Sequence, residues 1–158
     1  MHRDLKPPNV LITPQRRGKL ADMGLAKKLN LSEGTSFETH LAGGAAVGGG
    51  SGTAGWQAPE RLLHGRQTRS VDTFSLGCLL HFCLSGGAHP FGERFERDAN
   101  VLKGAPNLSA IRHLPEAADL VARLLSWEPT RQGAALRCHA HCPDTVPNIP
   151  QGLLVASI

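Results

Sequence analysis

Residues 2–9 have the sequence HRDLKPPN, and no other segment of the 158-residue chain says as much about its chemistry. Asp4 offers a carboxylate that can accept a proton, Lys6 offers a cation that can offset phosphate charge, and Asn9 offers an oxygen ligand for magnesium. Five residues at fixed spacing, namely His2, Arg3, Asp4, Leu5 and Asn9, would occur together by chance about once in several million starting positions. The three groups at this spacing suit transfer of a phosphoryl group to a hydroxyl.

Two further motifs follow along the chain. Residues 22–24 (DMG) come after a predicted hairpin, and residues 58–60 (APE) come after a long glycine-rich loop. Taken alone, Asp22 is equally well explained as a turn residue that caps the end of a strand. Its place after the hairpin favours a functional role.

In this order the three motifs resemble those of the eukaryotic-type Ser/Thr protein kinases: the catalytic loop, the magnesium-binding Asp-Phe-Gly, and the Ala-Pro-Glu that closes the activation segment. The resemblance implies ATP and Mg²⁺ as cofactors. Asp4 would be the catalytic base, Lys6 would steady the transferred phosphate, and Asn9 and Asp22 would hold magnesium and with it the nucleotide. Met23 replaces the Phe of the family pattern, and we expect it to fill apolar space as Phe does.

The same resemblance assigns supporting roles. Glu60 is expected to pair with Arg131 inside the domain, and Asp72 is expected to anchor the backbone of the catalytic loop from a central helix. Thr53 matches a residue of the loop that positions the substrate. The remaining residues of the kinase motifs are His2, Arg3, Gly24, Ala58 and Pro59.

Four segments narrow the resemblance further: GTAGWQAPE (52–60), VDTFSLGC (71–78), LSGGAHPFG (84–92) and RDANVLKGAPNL (97–108). They resemble the unfolded-protein-response sensor kinase/endoribonucleases of the endoplasmic reticulum membrane. That family autophosphorylates its activation loop and forms homodimers, which switch on a following ribonuclease domain. The partners implied are a protein substrate or a second copy of the chain, on the cytosolic face of that membrane, or in the cytoplasm if the narrower resemblance fails.

Hydroxyl side chains of the activation segment are the candidate phosphoacceptors by position: Ser32, Thr35, Ser36, Thr39 and Ser51. A new phosphate could pair with Arg3 and order the loop through charge-assisted hydrogen bonds. By default, however, such residues are only solvated positions of a loop.

The secondary-structure pattern predicts a mainly α fold with a small β-hairpin, that is, a truncated kinase-like C-terminal lobe. Strands are predicted at 10–13 and 19–21, and helices at 59–63, 70–85, 93–102 and 115–127. The activation segment 22–60 contains a glycine-rich loop, which we expect to be mobile. The lobe is predicted to span 1–132, and 133–158 has no regular period and is expected to be a disordered tail.

Composition sets broader limits. The net charge of +4 is spread along the chain, so it does not by itself indicate nucleic-acid binding. No apolar run approaches the roughly 20 residues that cross a bilayer, so no membrane contact is expected in this segment. Cys78 and Cys83 lie in an apolar helical stretch and are predicted to be core residues, and Cys138 and Cys142 are spaced too tightly with their neighbouring histidines for an ordinary zinc site.

Two hypotheses remain open on sequence alone. The family's glycine-rich nucleotide loop, strand lysine and helix glutamate do not occur before Met1, so catalysis by this segment alone is expected to be weak or absent. The chain is therefore either the catalytic half of an enzyme completed by an N-terminal lobe, or a nucleotide-binding and dimerisation scaffold or non-functional fragment. Ribonuclease activity would belong to a domain that this chain does not contain.

Overall fold

The computed structural model describes residues 1–28 and 52–127. In chain order, a 3-10 turn at Pro7–Asn9 leads into strands β1 (Val10–Ile12) and β2 (Gly18–Leu20), and four helices follow: α1 (Pro59–Leu62), α2 (Ser70–Leu84), α3 (Arg97–Lys103) and α4 (Pro115–Leu124). A second 3-10 turn at Ser109–Ile111 joins α3 to α4. The predicted mainly α fold with one small hairpin is confirmed.

The hairpin carries the chain from the catalytic loop to the segment that contains Asp22. β1 and β2 are antiparallel, with Val10 opposite Leu20 and Ile12 opposite Gly18. Beyond the paired residues, the amide of Thr13 donates to the carbonyl of Arg17 over 2.9 Å and closes the turn. β1 ends one residue before its predicted end, and β2 begins and ends one residue before its predicted bounds. Most of their side chains are exposed.

Helix α2 is the centre of the lobe. Its apolar residues lie on most of its faces, and Val71, Phe74 and Cys78 are almost fully buried. Gly77 lets α4 approach closely, since a Cβ at this position would lie 2.9 Å from side-chain atoms of both Leu124 and Leu125. Burial of this kind, rather than helix propensity, accounts for most of the stability of such a helix.

The other helices begin and end where local chemistry allows. Pro59 and Pro115 stand in the first turns of α1 and α4, where a missing N–H costs nothing. Gly104 ends α3 in a left-handed conformation. α3 begins at Arg97 rather than at the predicted residue 93, because 93–96 form a separate turn in which the amide of Glu96 donates to the carbonyl of Glu93.

The prediction that both helical cysteines are core residues is half wrong. Cys78 is fully buried, and that burial raises the pKa of its thiol, whereas Cys83 is exposed. Five residues along a helix turn the side chain by about 140°, so the two thiols cannot share one buried face. Within the described ranges, no helix is both long and apolar enough to span a bilayer.

Candidate active site

Asp72 fixes the start of the catalytic loop from the first turn of α2. Its Oδ2 accepts a hydrogen bond from the backbone N–H of His2 and its Oδ1 one from that of Arg3, each over 2.7 Å. Arg3 has φ +72°, an uncommon conformation for a residue with a side chain. The two hydrogen bonds hold the backbone in this conformation and set the direction of the Asp4 side chain that follows.

Asp4, Lys6 and Thr53 form a compact polar group. The ammonium of Lys6 lies 2.8 Å from Oδ2 of Asp4 and donates to the hydroxyl of Thr53 over 2.6 Å. The hydroxyl and the backbone N–H of Thr53 both donate to Oδ1 of Asp4, over 3.0 and 3.1 Å. Residues 52–56, which the resemblance assigns to substrate positioning and which we call the substrate-side loop, are thereby tied directly to the catalytic loop.

The surroundings of Asp4 keep it ionised. Burial by itself raises the pKa of this carboxyl, but the hydrogen bonds from Lys6 and Thr53 and the charge of Lys6 outweigh it, and the net pKa lies below its usual value. The carboxylate is therefore ionised at neutral pH, which is the form that a general base requires.

The hairpin returns the main chain to Asn9 one residue before Asp22. The amide nitrogen of the Asn9 side chain donates to the backbone carbonyl of Asp4 over 2.9 Å and to its Oδ2 over 3.2 Å. The carbonyl of Asn9 accepts from the N–H of Ala21 over 2.9 Å, and Asp22 is the next residue. His2 supports the same junction, since its Nε2 lies 2.9 Å from the carbonyl of Ala21.

The donor set at this junction fits a magnesium ion. Because Nδ2 of Asn9 donates to Asp4, its side-chain oxygen would be left to bind the ion, and the carboxylate of Asp22 would supply a second oxygen. Oxygen ligands of this kind, with waters and phosphate oxygens, are the ordinary surroundings of Mg²⁺. Asp22 has φ +60°, and its Oδ1 accepts from the N–H of Gly24 over 3.2 Å, so the turn itself presents the carboxylate.

Met23 does not take the place in the core that the sequence suggested. Its side chain is 57% exposed. The expectation that it fills apolar space as Phe does is therefore wrong for the chain as the structure describes it, because the turn at residues 22–24 directs this side chain outwards.

Glu60 closes the segment at the base of α1. Its Oε1 accepts from the hydroxyl of Ser70 over 2.7 Å, while its Oε2 is buried without a hydrogen-bond partner among residues 1–28 and 52–127. Its flanking motif residues Ala58 and Pro59 are buried. The expected partner Arg131 lies outside the described residues, as do Ser32, Thr35, Ser36, Thr39 and Ser51, the two later cysteines and the predicted tail.

Several contacts at the site carry no sequence signal that would have revealed them. Arg61 is buried, and its Nη1 donates to the backbone carbonyl of Arg3, so a charged side chain from α1 supports the catalytic loop from below. Burial, together with the nearby charge of Arg3, lowers the pKa of Arg61. Ser70 is likewise buried against Glu60. The first contact joins residues 58 apart in the sequence and the second joins residues ten apart.

Comparison with known proteins agrees with this geometry. The family described as the protein kinase domain matches residues 1–141. The chain belongs to the protein kinase family. Its kinase-like fold and its enzyme class, a protein Ser/Thr kinase, are thereby confirmed.

Individual relatives of this kinase bear out the narrower resemblance. It is 46% identical over 143 residues to the serine/threonine-protein kinase/endoribonuclease IRE1 of Oryza sativa subsp. japonica, covering 89% of the chain and 15% of that protein. It is 47% identical over 143 residues to IRE1a of Arabidopsis thaliana, with 89% and 16% covered, and 43% identical over 156 residues to IRE2 of Homo sapiens, with the same shares. The kinase thus spans about a sixth of these relatives.

Proposed function

We propose that the chain is the catalytic half of a Ser/Thr kinase that transfers the γ-phosphoryl group of ATP to hydroxyls of a protein, including its own activation segment. The observation that carries this proposal is the group of contacts around Asp4: Lys6 and Asn9 at Oδ2 and Thr53 at Oδ1, all within 3.2 Å. The lobe that supplies this activity is proposed to span residues 1–132.

Each side chain has a role that its contacts support. Asp4 accepts the proton of the attacking Ser or Thr hydroxyl, and Lys6 offsets negative charge that develops beside it. Thr53 keeps the substrate-side loop against Asp4, so that the hydroxyl arrives within reach of the carboxylate. Asn9 and Asp22 would hold magnesium, which together with ATP supplies the phosphoryl group and offsets its charge.

The surroundings of Thr53 suit a peptide substrate. A cleft of about 280 Å³ is lined by Gly52 and Ala54, which stand on either side of Thr53, and by Gln57, Arg61 and Asp98. A peptide that places its hydroxyl at Asp4 is proposed to pass beside the loop that carries Thr53.

The cellular role is a further part of the proposal. The names of the rice, Arabidopsis and human relatives combine kinase and endoribonuclease, which supports a role in endoplasmic reticulum stress signalling, with self-association and phosphorylation in trans. The phosphoacceptors are proposed to lie among residues 32–51, and a phosphate there is proposed to pair with Arg3. Glu60, with one buried oxygen still to be paired among the described residues, is proposed to bind Arg131.

A fusion tests the proposal. The part of the rice relative that precedes the aligned segment is joined to Met1 of this chain, and this rice fusion is incubated with Mg²⁺ and ATP labelled on the γ-phosphate. We expect label on Ser or Thr within 32–51, located by mass spectrometry, and its loss in Asp22→Asn. A folded fusion that transfers no label, or an Asp22→Asn variant that labels as fast as the unsubstituted fusion, would contradict the proposal.

A further inference from the structure

The first turn of α3 contacts the substrate-side loop at Gly55. Oδ1 of Asp98 accepts a hydrogen bond from the backbone N–H of Gly55 over 2.7 Å. The side chain of Arg97 lies across the same residue: a Cβ on Gly55 would stand 2.5 Å from Cδ of Arg97, and Gly55 has φ +85°. Only glycine meets both conditions, the close approach and the left-handed backbone.

The His-Pro-Phe-Gly turn at residues 89–92 holds the start of α3 in place. Nε of Arg97 donates to the carbonyl of Gly92 over 2.9 Å, and the side-chain amide of Asn100 donates to the carbonyl of Phe91 over 3.0 Å. Phe91 is buried and stacks on Phe74 of α2, with ring centroids 5.7 Å apart. The start of α3 is therefore tied to the core of the lobe.

A short turn connects the contact at Gly55 to the carboxylate of Asp4. The N–H of Trp56 donates to the carbonyl of Thr53 over 3.1 Å, so Gly55 lies inside a tight turn whose first residue is hydrogen-bonded to Asp4. Trp56 packs edge-on against His89, with ring centroids 4.7 Å apart, and its carbonyl accepts from the hydroxyl of Ser75 over 2.7 Å. The turn is thus fixed at Asp4, at α2 and at α3.

From these contacts we infer that Asp98 is a positioning residue for the protein substrate, acting through Gly55 and Thr53 on the loop beside Asp4. The inference rests on the proposed function for its consequence in catalysis. Asp98 has no ion-pair partner within 1–28 and 52–127, so the described role of its carboxylate is to accept from the Gly55 N–H. A hydrogen bond from an amide to a carboxylate is stronger than a neutral one, and its loss would release the turn.

The first test measures the turn itself, by amide hydrogen exchange in this chain. In Asp98→Ala we expect the Gly55 amide to exchange about tenfold faster, and the Thr53 amide to follow, because the turn links them. In Asp98→Asn, which keeps a carbonyl oxygen as acceptor, both rates should stay within about threefold of the unsubstituted chain. Unchanged exchange at Thr53 in Asp98→Ala would overturn the inference, whatever the outcome for phosphoryl transfer.

The second test measures catalysis in the rice fusion with a Ser-containing peptide. Asp98→Ala should lower kcat/KM for the peptide about tenfold while KM for ATP stays constant, and Asp98→Asn should restore most of it. Gly55→Ala, which collides with Arg97, should reproduce the loss, and Asp119→Ala on the exposed face of α4 should not. An equal loss in Asp98→Asn, or a rise in KM for ATP as large as that for the peptide, would show a general structural effect and overturn the inference.

The two tests separate the inference from the proposed function. If the unsubstituted fusion transfers no phosphate, the proposed function fails, and hydrogen exchange alone then decides the role of Asp98 at the turn. If transfer proceeds but Asp98→Ala leaves either the exchange at Thr53 or kcat/KM for the peptide unchanged, the proposed function stands and the inference about Asp98 is wrong.

Discussion

Replacing Asp72 by Ala should cost more stability than replacing any exposed acid of the lobe. The substitution removes two hydrogen bonds of 2.7 Å, to the N–H groups of His2 and Arg3. A hydrogen bond to a charged group contributes about 1.5–3 kcal/mol, so we expect the free energy of unfolding to fall by about 3 kcal/mol or more. Asp72→Asn retains one acceptor oxygen and should lose about half as much.

Urea unfolding followed by circular dichroism measures this difference, with the slope against urea compared between variants. The matched control is Asp119→Ala in α4, where the carboxylate pairs with Arg123 over 2.7 Å but both side chains are about half exposed. Such a surface pair contributes at most about 0.5 kcal/mol. A loss for Asp72→Ala no larger than that of the control would refute the claim that this carboxylate holds the catalytic loop.

Three other perturbations probe the packing and the charges of the lobe. Gly77→Ala should lower the free energy of unfolding by about 1–3 kcal/mol in urea, despite the better helix propensity of Ala, because its Cβ would collide with α4. Cys83→Ala on the exposed side of α2 should change it by under about 0.5 kcal/mol, and equal effects would contradict the close packing. Burial lowers the pKa of His89 to about 3, so the unfolded chain binds a proton at a higher pH than the folded one. The free energy of unfolding should therefore fall by up to about 1.4 kcal/mol per pH unit as the pH drops below about 6.5. His89→Gln should flatten this slope, and an unchanged slope would show that His89 does not cause it. Lys6→Met should raise the pKa of Asp4, which is measured by carbon NMR of its carboxyl group. An unchanged pKa would show that Lys6 does not lower it.

The sequence was sufficient for elements whose signal is local. The apolar residues of α2, the prolines at the starts of α1 and α4 and the turn residues of the hairpin predict those elements to within a few residues. The order of the motifs also predicts that the hairpin returns the chain towards the catalytic loop, where the N–H of Ala21 donates to the carbonyl of Asn9.

Contacts that depend on distant packing were not predictable in the same way. Nothing in the spacing of Asp98 indicates that it meets Gly55, which lies 43 residues away in the sequence. His81 is buried in α2, with Nδ1 3.0 Å from the carbonyl of Ala88, although histidine is a poor marker of a core position. Exposure of Met23 and Cys83 likewise depends on the direction of a turn and of a helix face, which residue type alone does not determine.

The most direct measurement of the central claim is phosphoryl transfer by the rice fusion carrying Asp4→Asn. This change keeps the size of the side chain and removes its ability to accept a proton. With Asp4 as the base, the rate of transfer to a Ser-containing peptide should fall by about 100- to 10,000-fold, while Asp119→Asn leaves it unchanged. Transfer by a folded Asp4→Asn fusion at the unsubstituted rate would contradict the assignment of this carboxylate, and with it the proposed kinase mechanism.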